Sequence, residues 1–228
     1  SRMQYEVTCT KIPATPTARW SPDFWEPIPA VELRSFRPES SSHRPVTHAR
    51  LIFDDRGIAG YFTVRDRYVR SVLTELNGPV CTDSCVEFFV APDVGTGYFN
   101  FEFNCGGTML CSHVIDPRRS GNGFNEWRSV GPEDAKLVEC HHTMPAVVDP
   151  EIAEPVDWQL GFHVPFTLFE RYFGALGDLR GRTWRANFYK CGDRTSHPHW
   201  ASWSPVDRLD FHMPTCFSDL LFADGSES

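Results

Sequence analysis

Short apolar runs recur along the whole chain, separated by clusters of Gly, Pro, Asp and Asn, and within most runs apolar and polar residues alternate one by one. An alternation of two places successive side chains on opposite faces of an extended backbone, so the pattern predicts many short strands rather than long helices. Strands are expected at Tyr5–Thr10, Val31–Phe36, His48–Phe53, Ile58–Val64, Cys85–Ala91, Tyr98–Asn104, Met109–Ile115, Lys136–Thr143, Trp158–Val164, Trp184–Lys190 and Leu220–Phe222. That is enough for two sheets. Asp54-Asp55-Arg56-Gly57 carries the acidic and Gly residues that a tight hairpin turn requires, between two of these strands. Phe166, Phe169 and Phe173 follow helical spacing and the run stops at Gly174, which predicts one short helix closing an end of the sandwich. Gly121-Asn122-Gly123 and Pro145–Pro155 are expected to be exposed loops. The expected fold is an all-β, antiparallel β-sandwich, a two-sheet architecture of jelly-roll or immunoglobulin-like kind with one short helix, formed as a single domain over residues 1–228.

The most informative strand is Tyr98–Asn104. Phe99, Phe101 and Phe103 fall on one face and Asn100, Glu102 and Asn104 on the other, so a core face opposes a row of hydrogen-bonding groups. Trp184, Ala186 and Phe188 alternate in the same way with Arg185, Asn187 and Tyr189, and Trp158, Leu160 and Phe162 with Gln159 and His163. In Cys85–Ala91, Val86, Phe88 and Val90 point to the core and Glu87 points away, flanked by Cys85 and Phe89. A carboxylate among such neighbours needs a partner, either Arg185 in a structural pair across strands or a ligand hydroxyl. Trp127 is expected in a Gly- and Asn-rich loop, and Trp200 and Trp203 lie three apart after His197-Pro198-His199. Each ring is either core or, if exposed, a flat face able to stack on the C–H face of a pyranose.

Charge and composition narrow the partners. A net charge of -8 and a pI near 5.6 disfavour nucleic acid, which is held by clustered Lys and Arg. No apolar stretch approaches the roughly 18 residues a membrane span needs, so no membrane partner is expected. The eight cysteines lack the paired spacing of a zinc site, and reduced structural thiols are expected ahead of disulfides or zinc, which favours the cytoplasm. Ser1–Thr8 has no secretion signal, with Met3 fitting an initiator; a secreted or periplasmic protein whose leader has been removed would look the same.

The block Val80 to Val90, continued by Gly97–Asn104 and Gly106-Gly107, resembles carbohydrate-binding family 9-like domains. The earlier Arg50–Val64 hairpin with Asp66 and the later Trp184–Tyr189 also resemble that family, so the likeness extends from about residue 18 to 222. It implies antiparallel sheets holding a sugar between two Trp rings, with Glu, Arg, Gln and Asn bonding its hydroxyls. Carried over, Glu87 matches the motif Glu, and Asn187 and Trp200 the later Asn and Trp, while Arg185 and Gln159 follow from strand parity. Where the family pattern has a Trp before the Asp-x-x-x-Glu block, this chain reads Gly78-Pro79-Val80-Cys81, so Trp127, Trp203 or Tyr189 must supply the second ring, or the binding site is altered or lost. The candidate site is therefore Glu87, Asn104, Gln159, Arg185, Asn187, Trp200, Trp203 and Trp127, with a mono- or oligosaccharide as ligand and a glycoside hydrolase as the associated partner in polysaccharide breakdown. No catalytic residue, metal ligand or cofactor is assigned. Related modules carry structural calcium, for which Asp54, Asp55, Asp66 and Asp83 offer oxygen ligands without the spacing of a dedicated calcium loop.

Two other functions compete. A glycoside hydrolase would use Glu87 and Glu102 as its carboxylate pair. A haem-binding electron carrier of similar shape would take axial ligands from Met109, Met144, His212 or Met213. Neither a nucleophile elbow nor a phosphate loop is present in the sequence.

Overall fold

The alternating runs form sixteen strands among the described residues of a computed structural model, which are 2–13 and 15–225. In chain order these are β1 (Gln4–Cys9), β2 (Val31–Glu32), β3 (Ser35–Phe36), β4 (Val46–Phe53), β5 (Gly57–Asp66), β6 (Val69–Ser71), β7 (Cys85–Ala91) and β8 (Tyr98–Asn104). There follow β9 (Met109–Ser120), β10 (Gly123–Ser129), β11 (Glu139–His142), β12 (Val148–Ile152), β13 (Val156–Pro165), β14 (Thr183–Cys191), β15 (Trp200–Ser202) and β16 (Ser218–Phe222). Three short helices accompany them: α1 (Pro22–Trp25), α2 (Pro132–Ala135) and α3 (Phe166–Phe173). None is long and apolar enough to cross a membrane.

One continuous hydrogen-bonded ribbon, in the order β10-β9-β8-β7-β14-β16-β1-β4-β5-β13-β11, curls over to form both layers of the sandwich. The turnover point is β1. Its residues Gln4 to Val7 pair with Asp219 to Phe222 of β16 in one layer, and Thr8 and Cys9 pair with Ile52 and Phe53 of β4 in the other. Both pairings are parallel, within a sandwich whose other strand pairs are antiparallel as expected. A strand that leaves one sheet to enter another closes an edge that would otherwise expose unpaired N–H and C=O groups.

Between the layers, Phe88, Phe101, Phe103 and Phe188 from the β7-β8-β14 side meet Phe62 and Phe162 from β5 and β13. Phe88 stacks on Phe162 at 5.5 Å and on Phe188 at 5.2 Å, and Phe103 stacks on Phe162 at 5.5 Å. The spacing of Phe166, Phe169 and Phe173 does form a helix. Phe173 of α3 packs edge-on and Phe169 tilted against Phe99, and the helix ends at Gly174, whose φ of 88° a residue with a Cβ adopts only at a cost. The Asp54–Gly57 turn also forms as its composition dictates, with Asp54 Oδ1 accepting the backbone N–H groups of Arg56 and Gly57.

Where the chain departs from the alternating pattern, the sequence misled. β10, expected as loop beyond Gly123, is a strand whose residues are mostly exposed on both faces, so it carries no alternation to detect. Val148–Ile152, inside the expected Pro145–Pro155 loop, pairs with β6 as a separate two-stranded ribbon. The expected strand at Lys136–Thr143 is cut back to β11, because α2 and its trailing turn occupy 132–138.

Candidate functional site

The polar face of β7, β8 and β14 is organised in rows by strand register. Glu102, Glu87 and Tyr189 lie opposite one another across the three strands, and Asn104, Cys85 and Cys191 form the next row. This face is not open to solvent, as a half-exposed sheet would be. Residues 203–217 cross it, with Val206, Met213 and Phe217 packed on Phe89, Tyr98, Val114 and Tyr189. Beside that cover a cavity of about 550 Å³ remains, within the rough range of 300–1,000 Å³ typical of small-molecule sites.

Glu87, Asn100, Glu102 and Cys191 form its floor. One wall is the β9–β10 hairpin, which supplies Ser112, Arg119, Phe124 and Trp127; the other comes from Asp193, Trp200 and Phe211. The indole N–H of Trp200 donates to Asp193 Oδ1 at 2.9 Å, which fixes the ring's edge. Trp127 is 43% exposed and stands edge-on to Phe124 at 6.0 Å. Phe211 stacks on Tyr189 at 4.0 Å, and its carbonyl accepts the Tyr189 hydroxyl at 2.9 Å, so this loop is pinned to the sheet. Arg119 reaches Asp210 at 2.9 Å and lies over the Phe124 ring.

Two carboxyl groups dominate the electrostatics of the floor. Glu87 and Glu102 are 2% and 6% exposed, and neither makes an ion pair among the described residues. Burial raises Glu87 well above the usual carboxylate range, and the neighbouring Glu102 raises it further. Burial likewise raises Glu102, partly offset by the amide of Asn100, which donates to Oε2 at 2.8 Å. A carboxyl that holds its proton both donates and accepts, which matches the paired demands of a sugar hydroxyl.

Of the residues singled out from sequence, the cavity brings together Glu87, Trp127 and Trp200. The other five lie elsewhere, each with at least one polar atom engaged by protein or its ring in the core. Asn187 accepts the N–H groups of Phe188 and Ser204 and donates to the Ser204 carbonyl, all at 2.9 Å, so it anchors the covering segment. Asn104 bonds Leu73 O, Asp83 Oδ2 and the Thr108 N–H. Gln159 is on the other layer, accepting from the Tyr61 hydroxyl at 2.9 Å. Arg185 pairs with Ala91, four residues along β7 from Glu87, and donates to Phe217 O, so the Glu87–Arg185 pair does not form. Trp203 is 3% exposed and packs edge-on to Phe188 between the sheets.

Tyr189 is fully buried under Phe211, which leaves Trp127 as the exposed ring among the three substitutes for the missing family Trp. Parity alone put Glu102 and Asn100 on one face of their strand, and the β7–β8 register makes Glu102 the direct neighbour of Glu87. Asp193, Phe211 and Arg119 carried no sequence signal, because loop residues and a long hairpin bring them in.

Three of the four acids offered for calcium, Asp54, Asp66 and Asp83, are already engaged by protein donors. Asp83 Oδ2 accepts from the N–H groups of Val72 and Leu73 and from Asn104. Asp66 is held by Lys190, His43 and the Trp158 indole N–H, and Asp54 by Arg19 and two backbone N–H groups. A carboxylate oxygen that accepts such hydrogens is committed to them rather than to a cation. The haem ligands are also scattered. Met109 belongs to the core between the sheets, Met213 packs on the opposite face of the same sheet, and His212 Nδ1 is bonded to the Tyr98 hydroxyl at 2.7 Å.

Comparison with known proteins agrees with this architecture. The sequence profile of carbohydrate-binding family 9 matches residues 25–222. A candidate carbohydrate-binding protein from Bacteroides uniformis superposes with a TM-score of 0.83 at 29% identity, over 97% of this chain and 100% of that one. A family 9 module from Caldicellulosiruptor kristjanssonii, solved with glucose and with cellotriose, superposes with a TM-score of 0.63 at 10% identity, over 99% of this chain and 98% and 96% of those. No curated protein matches the chain.

Proposed function

The chain belongs to carbohydrate-binding family 9, and on that premise we propose that it binds a mono- or oligosaccharide, without cleaving it, in the cavity above β7, β8 and β14. The observation that carries this is the convergence in one cavity of two partly exposed indoles, Trp127 and Trp200, over a floor of buried carboxyl and amide groups. Indole faces stack on the C–H faces of a pyranose while Glu87, Glu102, Asn100 and Asp193 exchange hydrogen bonds with its hydroxyls. The glucose and cellotriose bound by the module from Caldicellulosiruptor kristjanssonii are of the class this cavity suits. A role beside a polysaccharide hydrolase, delivering it to substrate, goes with this assignment.

Hydrolysis by the Glu87–Glu102 pair is disfavoured by its chemistry. The two residues are direct cross-strand neighbours on one floor, and burial raises both, whereas a retaining hydrolase needs one ionised carboxylate as nucleophile and the pair flanking the scissile bond. Calorimetric titration with glucose, cellobiose and cellotriose tests the proposal on wild type, Trp127→Ala and Trp200→Ala. Stacking contributes about 0.5–1.5 kcal/mol per ring, so each variant is expected to bind roughly 2- to 12-fold more weakly. Unchanged affinity in both variants would remove the sugar from this cavity.

A further inference from the structure

The floor of the cavity holds a second constellation that sugar binding does not require. Cys85 and Cys191 are directly opposite on β7 and β14, and Glu87 follows Cys85 by two residues on the same face. One Sγ from each cysteine and one carboxylate oxygen all lie within 4.8 Å of one another, with Cys191 Sγ 3.2 Å and Cys85 Sγ 3.8 Å from Glu87 Oε2. All three residues are buried.

We propose that Cys85, Glu87 and Cys191 form a binding site for one thiophilic divalent cation, zinc by preference, at the base of this cavity. Tetrahedral zinc with bonds of about 2.0–2.3 Å sets its ligand atoms about 3.5–3.8 Å apart, so the three groups need only side-chain torsions to close on the ion. Two sulfur ligands select zinc over calcium or magnesium, which demand oxygen. The strands supply the ligands from rigid, cross-paired backbone, a scaffold that needs no ordering on binding.

An independent observation favours a cation here. Glu87 and Glu102 are two buried acids directly opposite each other, and neither has a Lys or Arg partner among the described residues, although buried charge is otherwise paired throughout this protein. A divalent ion would supply the positive charge against which Glu87 could ionise in this buried setting. On binding, the two thiols and the Glu87 carboxyl release their protons to solvent; the cysteines ligate as thiolates and Glu87 through one carboxylate oxygen. Three protein ligands leave one coordination position for water or another oxygen ligand. This site stands on the cysteines and does not depend on a sugar being bound.

Cobalt(II) titration of the reduced full chain tests it, read by thiolate-to-cobalt charge-transfer absorption in the near ultraviolet, with competition by zinc. One equivalent of cobalt is expected to give the band and zinc to abolish it. Cys191→Ser should lose the band, and Cys105→Ser, at a buried cysteine outside the cluster, should keep it. Should Cys191→Ser not fold, Glu87→Gln decides: affinity is expected to fall at least about tenfold while the thiolate band persists. The absence of any band in wild type, or the same band and affinity in every variant, overturns the site. Sugar titration is a separate measurement, so a protein that binds cobalt and no sugar refutes only the carbohydrate assignment.

Discussion

Next to the Trp200 wall, His199 is a buried histidine whose charge state the surrounding bonds dictate. Lys190, itself fully buried, donates from Nζ to His199 Nε2 at 2.7 Å and pairs with Asp66 at 3.3 Å. Nε2 must therefore carry the lone pair, and Nδ1 carries the hydrogen, donating to the His197 carbonyl at 2.8 Å. Burial, then the adjacent Lys190 ammonium, lower this imidazole from 6.5 to about 3. In the unfolded chain the ring takes up a proton below its ordinary value, while in the fold it does not, so the stability it confers is complete above pH 6.5 and drains away as pH falls towards 3. At pH 4.5 the loss is two of the available pH steps, about 3 kcal/mol at 1.36 kcal/mol each.

His199→Gln keeps an acceptor for Lys190 and removes the titration. Urea unfolding of both proteins at pH 7.5 and 4.5 isolates the effect as a double difference. Wild type is expected to lose about 3 kcal/mol more than the variant between the two pH values. Equal losses would mean that His199 titrates alike folded and unfolded, and the Lys190–His199–Asp66 arrangement would then be wrong.

Other substitutions separate the site from its support. Trp203→Ala removes a ring from the core between the sheets and is expected to cost about 3–5 kcal/mol, read as a fall in melting temperature of roughly 6–20 °C, with sugar affinity preserved. Asn187→Ala leaves the Ser204 N–H and carbonyl and the Phe188 N–H without their partner; denaturant unfolding should show a loss of about 2–3 kcal/mol. Gly123→Ala places a Cβ 2.7 Å from Trp127 Nε1, so the ring must turn; calorimetry should show weakened sugar binding like that of Trp127→Ala, with little change in melting temperature because the hairpin is exposed.

Strand alternation was enough to place β7 and β8 to the residue and to assign Phe88, Phe99, Phe101 and Phe103 to the core, because period two is a property of the local backbone. The same parity put Glu87, Asn100 and Glu102 on one surface. It could not say what lies above that surface. Asn187 and Glu87 share a face and have similar sequence credentials, yet one is spent on Ser204 and the other opens into the cavity, because residues 203–217 cover only part of the sheet. Trp200 and Trp203 illustrate the same limit, one ring lining the site and the other buried between the layers, three residues apart.

The sequence by itself determined the two-layer β architecture, its apolar interior and the family to which the chain belongs. Tertiary structure alone decided which groups converge, since Cys85 meets Cys191 and Trp127 and Trp200 line one cavity only through strand pairing and loop crossings between residues far apart in the chain. Local periodicity encodes the direction in which a side chain points; its neighbours in space are set by long-range register and by the loops that happen to cover each face.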